Sequence, residues 1–303
     1  MSRRNKKGRD INGIVLLDKD TGLSSNAALQ KVKRLFFAKK AGHTGSLDPL
    51  ASGILPICLG QATKVAQFLL DDNKRYFVRG LLGQTTDTFD CEGEITSAQS
   101  TKHLNEQQII DAAQSFQGDI KQVPPMYSAL KRDGQPLYKL ARQGIEVERK
   151  ARPVTIHNIE YLGYEDGFLS LEVSCSKGTY IRSLIADIGE KLGCGAHVVE
   201  LRRIGFAHID ISQTIKFADL TSLATDDYKQ LDAKIFPSED MLPNLDSVQL
   251  NEQQSIDISF GREVVSNKRG LEQQVKLFDH NKQFLGIGIE SQNGTIAPKR
   301  LFV

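Results

Sequence analysis

No apolar run in these 303 residues approaches the roughly 18 that a membrane span requires. The basic N-terminus, MSRRNKKGRD, also lacks the apolar stretch of a secretory signal, so a cytoplasmic protein is expected. Cysteine is scarce: Cys58, Cys91, Cys175 and Cys194 are scattered with no C-x-x-C pair. That scarcity excludes a disulfide framework and a zinc site with regular ligand spacing. The six histidines form no paired metal motif either. Neither metal nor disulfide is expected.

Net charge is nearly absent overall, at +2, but not locally. Residues 1–10 carry Arg3, Arg4, Lys6, Lys7 and Arg9 against Asp10 alone. Residues 121–152 carry eight basic side chains against Asp133, Glu146 and Glu148, while 219–257 hold nine acids against Lys229 and Lys234. A basic arm and a basic loop in a near-neutral chain fit a localised polyanion footprint; solvated surface charge fits as well. At 33.6 kDa, with 40% hydrophobic and 25% charged residues, there is room for one large domain and a small one.

Ile14-Val15-Leu16-Leu17 reads as a first strand, followed by a helix capped by Ser24 or Ser25 with Ala27, Ala28, Leu29, Val32, Leu35 and Phe36 at helical spacing. Residues 61–70 look helical. YFVRGLLG reads as a strand with Tyr76 and Val78 on one face. Asp87 and Asp90 lie on a Thr/Asp/Gly-rich loop, where they suit an acid/base pair, a metal, or simple solvation. Residues 105–117 form an amphipathic helix. The next segment, 121–152, mixes Pro124-Pro125, glycines, aromatics and basic residues, a composition suited to stacking on bases and meeting phosphates. Leu169, Leu171, Val173 and Cys175 alternate inward along a strand. A helix then buries Ile181, Leu184, Ile185, Ile188 and Leu192 and stops at Gly193. Three short strands near 274–278, 284–289 and 296–303 suggest a small all-β module.

The chain is organised around residues 42–60, GHTGSLDPLASGILPICLG. Pro49 pushes Asp48 towards extended geometry, and the glycines permit tight turns, so one carboxylate is presented ahead of a buried strand. A turn-capping Asp has the same local look. The longer string GHTGSLDPLASGILPICLGQATK resembles the active-site motif of the TruB family of tRNA pseudouridine synthases. KRY at 74–76, VPPMYSALKRDGQPLYKLARQG at 123–144, SKGTYIRSL at 176–184 and GCGAHVVELRR at 193–203 extend the resemblance in order. Asp20 stands where that family usually has a proline, which implies a less rigid turn.

The resemblance implies an α+β fold. Residues 11–248 would form a catalytic domain with a mixed, mainly antiparallel sheet flanked by helices. An insertion at about 121–152 would clamp the T arm of tRNA, and 249–303 would form a PUA-like β-barrel that binds RNA. It implies Asp48 as the catalytic acid, Arg182 as the cation that keeps it charged, and Tyr76 stacked on the target base and assisting proton removal from carbon 5. His43, Tyr180, Leu201, Lys131 and Asp90 are implied as substrate-binding residues. Pseudouridine formation conserves every atom, so no cofactor is demanded; it needs a carboxylate at the broken sugar and a flipped-out base. The implied partner is tRNA, acted on by a monomer without an obligate protein partner. An RNA-binding chaperone with a vestigial site and a nucleoside hydrolase are weaker readings. Asp48, Tyr76 and Arg182 together speak against the first, and the basic insertion speaks against the second.

Overall fold

The computed structural model of the chain describes residues 7–266 and 272–302. The expected basic arm therefore lies outside the described residues up to residue 6. Its described end is not free: Arg9 is ion-paired with Asp232 and stacks over the Tyr228 ring at 4.1 Å.

The first strand, β1 (Gly13–Lys19), is buried along its whole length, as a strand covered on both faces must be. Ser24 caps α1 (Ser25–Leu35) by accepting the Ala27 amide, and Ala28, Leu29 and Val32 turn inward. Next come β2 (Ala41–His43) and β3 (Ser52–Leu59), which pair with each other while β3 also runs antiparallel to β1. The helix expected over 61–70 is only partly α-helical. Gly60 adopts a φ of 55° and its carbonyl accepts the Thr63 hydroxyl, so a 3-10 turn (Gly60–Lys64) precedes a short α2 (Ala66–Leu69).

After β4 (Lys74–Leu82) the chain makes a hairpin, β5 (Gln84–Thr86) and β6 (Ile95–Ala98). The helix α3 (Glu106–Gln114) opens with a capping box between Asn105 and Gln108. The insertion leaves β7 (Gly118–Gln122) and holds a two-stranded ribbon, β8 (Lys131–Arg132) and β9 (Gln135–Pro136), then α4 (Leu137–Ala141). It returns into β10 (Arg152–Glu165). Then come β11 (Phe168–Cys175), α5 (Ile181–Lys191), β12 (Ala196–Phe206), β13 (Ile209–Asp210) and β14 (Ile215–Lys216).

The main sheet runs β14-β1-β3-β12-β4-β11-β10-β7, with β2 on β3 and β13 on β12. Only β14–β1 and β3–β12 are parallel joins, so the sheet is mixed and mainly antiparallel. One face packs Val78, Leu171 and Val198 against Val32, Ile109, Leu184 and Ile188 of the helices. The other packs Ile14, Leu16, Ile54 and Phe206 against Met241 and Ile287, which ties the C-terminal module to the sheet. That module is a curled five-stranded half-barrel: β15 (Asp246–Gln249), β16 (Val264–Val265), β17 (Gln273–Phe278), β18 (Phe284–Glu290) and β19 (Thr295–Leu301), ordered β15-β17-β18-β19-β16. Its first strand starts at Asp246, slightly ahead of the expected boundary at 249.

Candidate active site

Asp48 lies on the loop between β2 and β3. Two anchors hold that loop to α1: Leu47 donates its amide to the Ser25 hydroxyl (2.7 Å), and the same hydroxyl donates to the Leu47 carbonyl (2.9 Å). A third comes from the turn after β1, where the Gly22 amide donates to the Pro49 carbonyl at 2.8 Å. Leu47, Leu50 and Ala51 are buried, so apolar side chains anchor the loop on both sides of Asp48.

Across from it, Arg182 occupies the first turn of α5. Gln122 fixes where that helix starts, because its side chain accepts the Tyr180 amide (2.8 Å) and donates to the Tyr180 carbonyl (3.1 Å). The guanidinium is then used on every side. Nε pairs with Asp48 Oδ2 at 2.9 Å, Nη1 with Asp90 Oδ2 and the Thr88 carbonyl at 2.9 Å each, and Nη2 with the Tyr127 carbonyl at 2.7 Å. One arginine thus joins the Asp48 loop, the loop after β5 and the base of the insertion.

The solvated-loop reading of Asp90 fails here, because the carboxylate is enclosed beside Arg182. The Asp90 side chain is 4% exposed. Its second oxygen accepts from the Thr88 hydroxyl (2.6 Å) and the Glu92 amide (3.1 Å). The loop is pulled inward by β12: the Cys91 amide donates to the Val198 carbonyl, and the Val198 amide donates to the Phe89 carbonyl. Asp87 stays nearer the surface, accepting the Glu94 amide at 2.9 Å.

Asp48 differs from Asp90 in exposure: 39% of its side chain faces solvent, though protein surrounds the rest. Burial raises its pKa above the usual 3.8, and Asp90 adds to the rise; Arg182 and Lys19 oppose it. Lys19 itself is 1% exposed, pinned by the Asp20 and Leu23 carbonyls, and burial lowers its pKa to about 8.

The remaining expected residues fall around this centre to different degrees. Tyr76 and Leu201 stand on facing strands, β4 and β12, on the sheet face that carries the helices, and both are buried. His43 is half-buried on β2, its pKa lowered by burial, with Nδ1 lacking a hydrogen-bond partner. Tyr180 is half-buried at the start of α5, and burial raises its pKa. Lys131 is exposed on β8, away from this cluster in the insertion. There Lys131, Arg132, Arg149, Lys150 and Arg152 line a hollow of about 260 Å³ with only Glu148 as a counter-charge.

Sequence reasoning missed Lys19, Gln122 and Arg203. Lys19 ends a strand of buried residues, a position where an unpaired ammonium is costly, and that was its one signal. Gln122 had none, and Arg203 had only the alternation of a strand, which does not say which face holds the site. Among the described residues no group of three or more His, Cys, Asp or Glu could hold a metal ion, and no helix is long and apolar enough to cross a membrane.

Comparison with known proteins adds to this geometry. Residues 33–181 match the family described as TruB family pseudouridylate synthase (N terminal domain), 182–243 match the tRNA pseudouridylate synthase B C-terminal domain, and 247–302 match Pseudouridine synthase II TruB, C-terminal. The tRNA pseudouridine synthase B of Actinobacillus pleuropneumoniae is 50% identical, over 99% of this chain and 99% of that protein. The enzyme of that name from Pasteurella multocida is 49% identical over 99% and 98%. Among solved structures, a Cbf5-Nop10-Gar1 complex contains a chain that superposes with a TM-score of 0.71 at 27% identity, covering 96% of this chain and 85% of that one. An H/ACA RNP bound to a substrate RNA containing 2'-deoxyuridine gives a TM-score of 0.72 at 24% identity, with the same coverage, a likeness of fold.

Proposed function

The chain belongs to the TruB family of pseudouridylate synthases and makes pseudouridine in tRNA, and we propose that its target is the uridine at position 55 of the T loop. The observation that carries the mechanism is the ion pair between Asp48, partly open to solvent, and Arg182, which is fully enclosed. A carboxylate in such a place would gain a proton without a cation beside it. Held ionised, it serves the sugar of the flipped nucleotide when the bond from N1 to C1′ breaks. Whether that service is a covalent adduct or charge stabilisation of a glycal, the demand on Asp48 is the same. The freed base turns, C5 bonds to C1′, the C5 proton leaves and N1 gains one.

The base must first leave its loop, at a cost of a few kcal/mol in lost stacking. Tyr76 replaces part of that stacking and takes the C5 proton. Leu201 and Tyr180 close on the base, and His43, uncharged, occupies the space it vacates. The basic insertion meets the phosphates of the T arm through Lys131 and its neighbours, and the Tyr127 carbonyl links it to Arg182. The half-barrel following the catalytic domain (11–248) adds RNA contacts. The enzyme works in the cytoplasm as a monomer, without cofactor or obligate protein partner.

Asp48→Asn keeps shape and removes charge. Turnover, read as tritium released from carbon-5-labelled uridine, should vanish while tRNA affinity stays within a few-fold, since phosphate contacts dominate binding. Substantial turnover by the variant would remove Asp48 from its role. Release from a transcript lacking the uridine at 55 would move the target elsewhere.

A further inference from the structure

Arg203 has no place in the scheme above, yet it is among the most enclosed side chains in the protein, at 2% exposure. Its Nε donates to the Ile54 carbonyl at 2.6 Å, which ties β12 to β3, and the guanidinium lies 5.5 Å from the Phe206 ring centre. Nη2 is buried with no hydrogen-bond partner. Unlike Arg202, which pairs with Asp18 at 2.7 Å, it has no carboxylate in ion-pairing range among the described residues. A buried cation left in that state is costly, so its surroundings must supply negative charge at some stage.

The group opposite is Tyr76. The two residues are register partners on antiparallel β4 and β12, and partners of that kind point to the same face. We propose that Arg203 is a positioning residue that holds the Tyr76 phenol and stabilises its phenolate when the tyrosine takes the proton from carbon 5. This rests on the reading of Tyr76 as proton acceptor. In that step the C5–H bond breaks, its electron pair forms the C5–C6 double bond, and the pair displaced from the N1–C6 double bond goes to N1, which takes a proton from water. The Tyr76 phenol first gives its proton to solvent; the phenolate oxygen then receives the C5 proton and ends as the phenol, and the proton released at the start neutralises the hydroxide left when water protonates N1.

The facing charges agree with this. Burial, the largest influence, raises the Tyr76 pKa, and Cys175 on β11 and Asp48 on its loop add to the rise; Arg203 is the group that opposes it, by its charge and by a side-chain hydrogen bond. Around Arg203 stand Lys19 from β1, His43 from β2 and Lys74 from β4; Lys74, like Lys19, has its pKa lowered to about 8 by burial. Lys19, Lys74 and Arg203 make this wall of the site cationic beside a neutral His43, and a phenolate at Tyr76 is an anion it can hold.

Arg203→Met should lower turnover at neutral pH by about tenfold or more, with KM for tRNA within a few-fold, and displace to higher pH the rising limb that reports Tyr76, which lies on the alkaline side of the acidic limb set by Asp48. Arg203→Lys keeps charge and should shift it less. Fluorotyrosine at position 76, whose phenol is more acidic, should restore turnover to Arg203→Met, a rescue that lost packing would not allow. An unmoved limb in both Arg203 variants, or no rescue, overturns the proposal. If fluorotyrosine leaves the wild-type limb where it is, Tyr76 is not the acceptor, and the fault lies in the reading beneath. A limb that moves with fluorotyrosine but not with either Arg203 substitution refutes Arg203 alone. If Arg203→Met does not fold, Arg203→Lys with and without fluorotyrosine gives the same decision.

Discussion

Replacing Arg182 by methionine perturbs two carboxylates of very different exposure, and the difference sets what each should lose. Asp90 and Arg182 are each 4% exposed, so the substitution strands a buried charge, which costs about 3–5 kcal/mol. Asp48 is 39% exposed; water screens it, and its share is at most about 1 kcal/mol. The buried pair therefore dominates stability, and the loss is a large fraction of the roughly 5–15 kcal/mol that holds a typical protein folded. Catalysis follows the other partner. Burial already holds the Asp48 carboxyl above 3.8 and Arg182 pulls it down, so removing Arg182 raises it further. The acidic limb of the pH–rate profile should move to higher pH with a sharp fall in turnover. Arg182→Lys keeps the charge but cannot reach Asp48, Asp90 and two carbonyls from one planar fork, so it should lie between. Urea denaturation reads the first effect, and tritium release across pH the second. Near-normal turnover with an unmoved acidic limb in Arg182→Met would mean that another group keeps Asp48 ionised. Unchanged stability would mean that the Asp90 pair contributes nothing.

Neutralising Lys131, Arg132, Lys139 and Arg142 together should flatten the salt dependence of tRNA binding, by about 0.7–0.9 in the log–log slope for each phosphate that is no longer neutralised. A wild-type slope would take the clamp role from the insertion. Asp48→Asn should also change stability with pH. The folded protein holds this proton to higher pH than the unfolded chain, so the group favours folding at low pH and the advantage is lost as pH rises through its folded value. The variant should then be as stable as wild type below 3.8 and up to about 1 kcal/mol more stable near neutrality; a destabilised variant there would contradict the raised carboxyl. Gly53→Ala should cost more than about 2 kcal/mol. Its φ of 100° and a β-carbon only 2.2 Å from the Arg203 carbonyl would force β3 from β12, so a thermal midpoint within a degree of wild type would refute that close approach.

What could be read from the sequence follows the range of the interaction. Leu169, Leu171, Val173 and Cys175 alternate inward as their spacing demands, and Ser24 caps α1, because both depend on residues a few positions apart. Gly193, at a φ of 73°, follows α5 for the same reason. The enclosure of Asp90 was not legible because its local composition is that of a solvated loop, while its environment is made by Arg182, 92 residues away, and by Val198 on β12. No spacing rule reaches that far. Arg203 was hidden differently: a second arginine in a basic doublet looks like surface charge. On a strand, though, Arg202 and Arg203 must face opposite sides. Arg202 meets Asp18 beside β1, and Arg203 turns to the face that carries Tyr76. The alternation was readable; which face held the site was not, because that depends on β12 lying between β3 and β4, an order set by packing across the whole sheet.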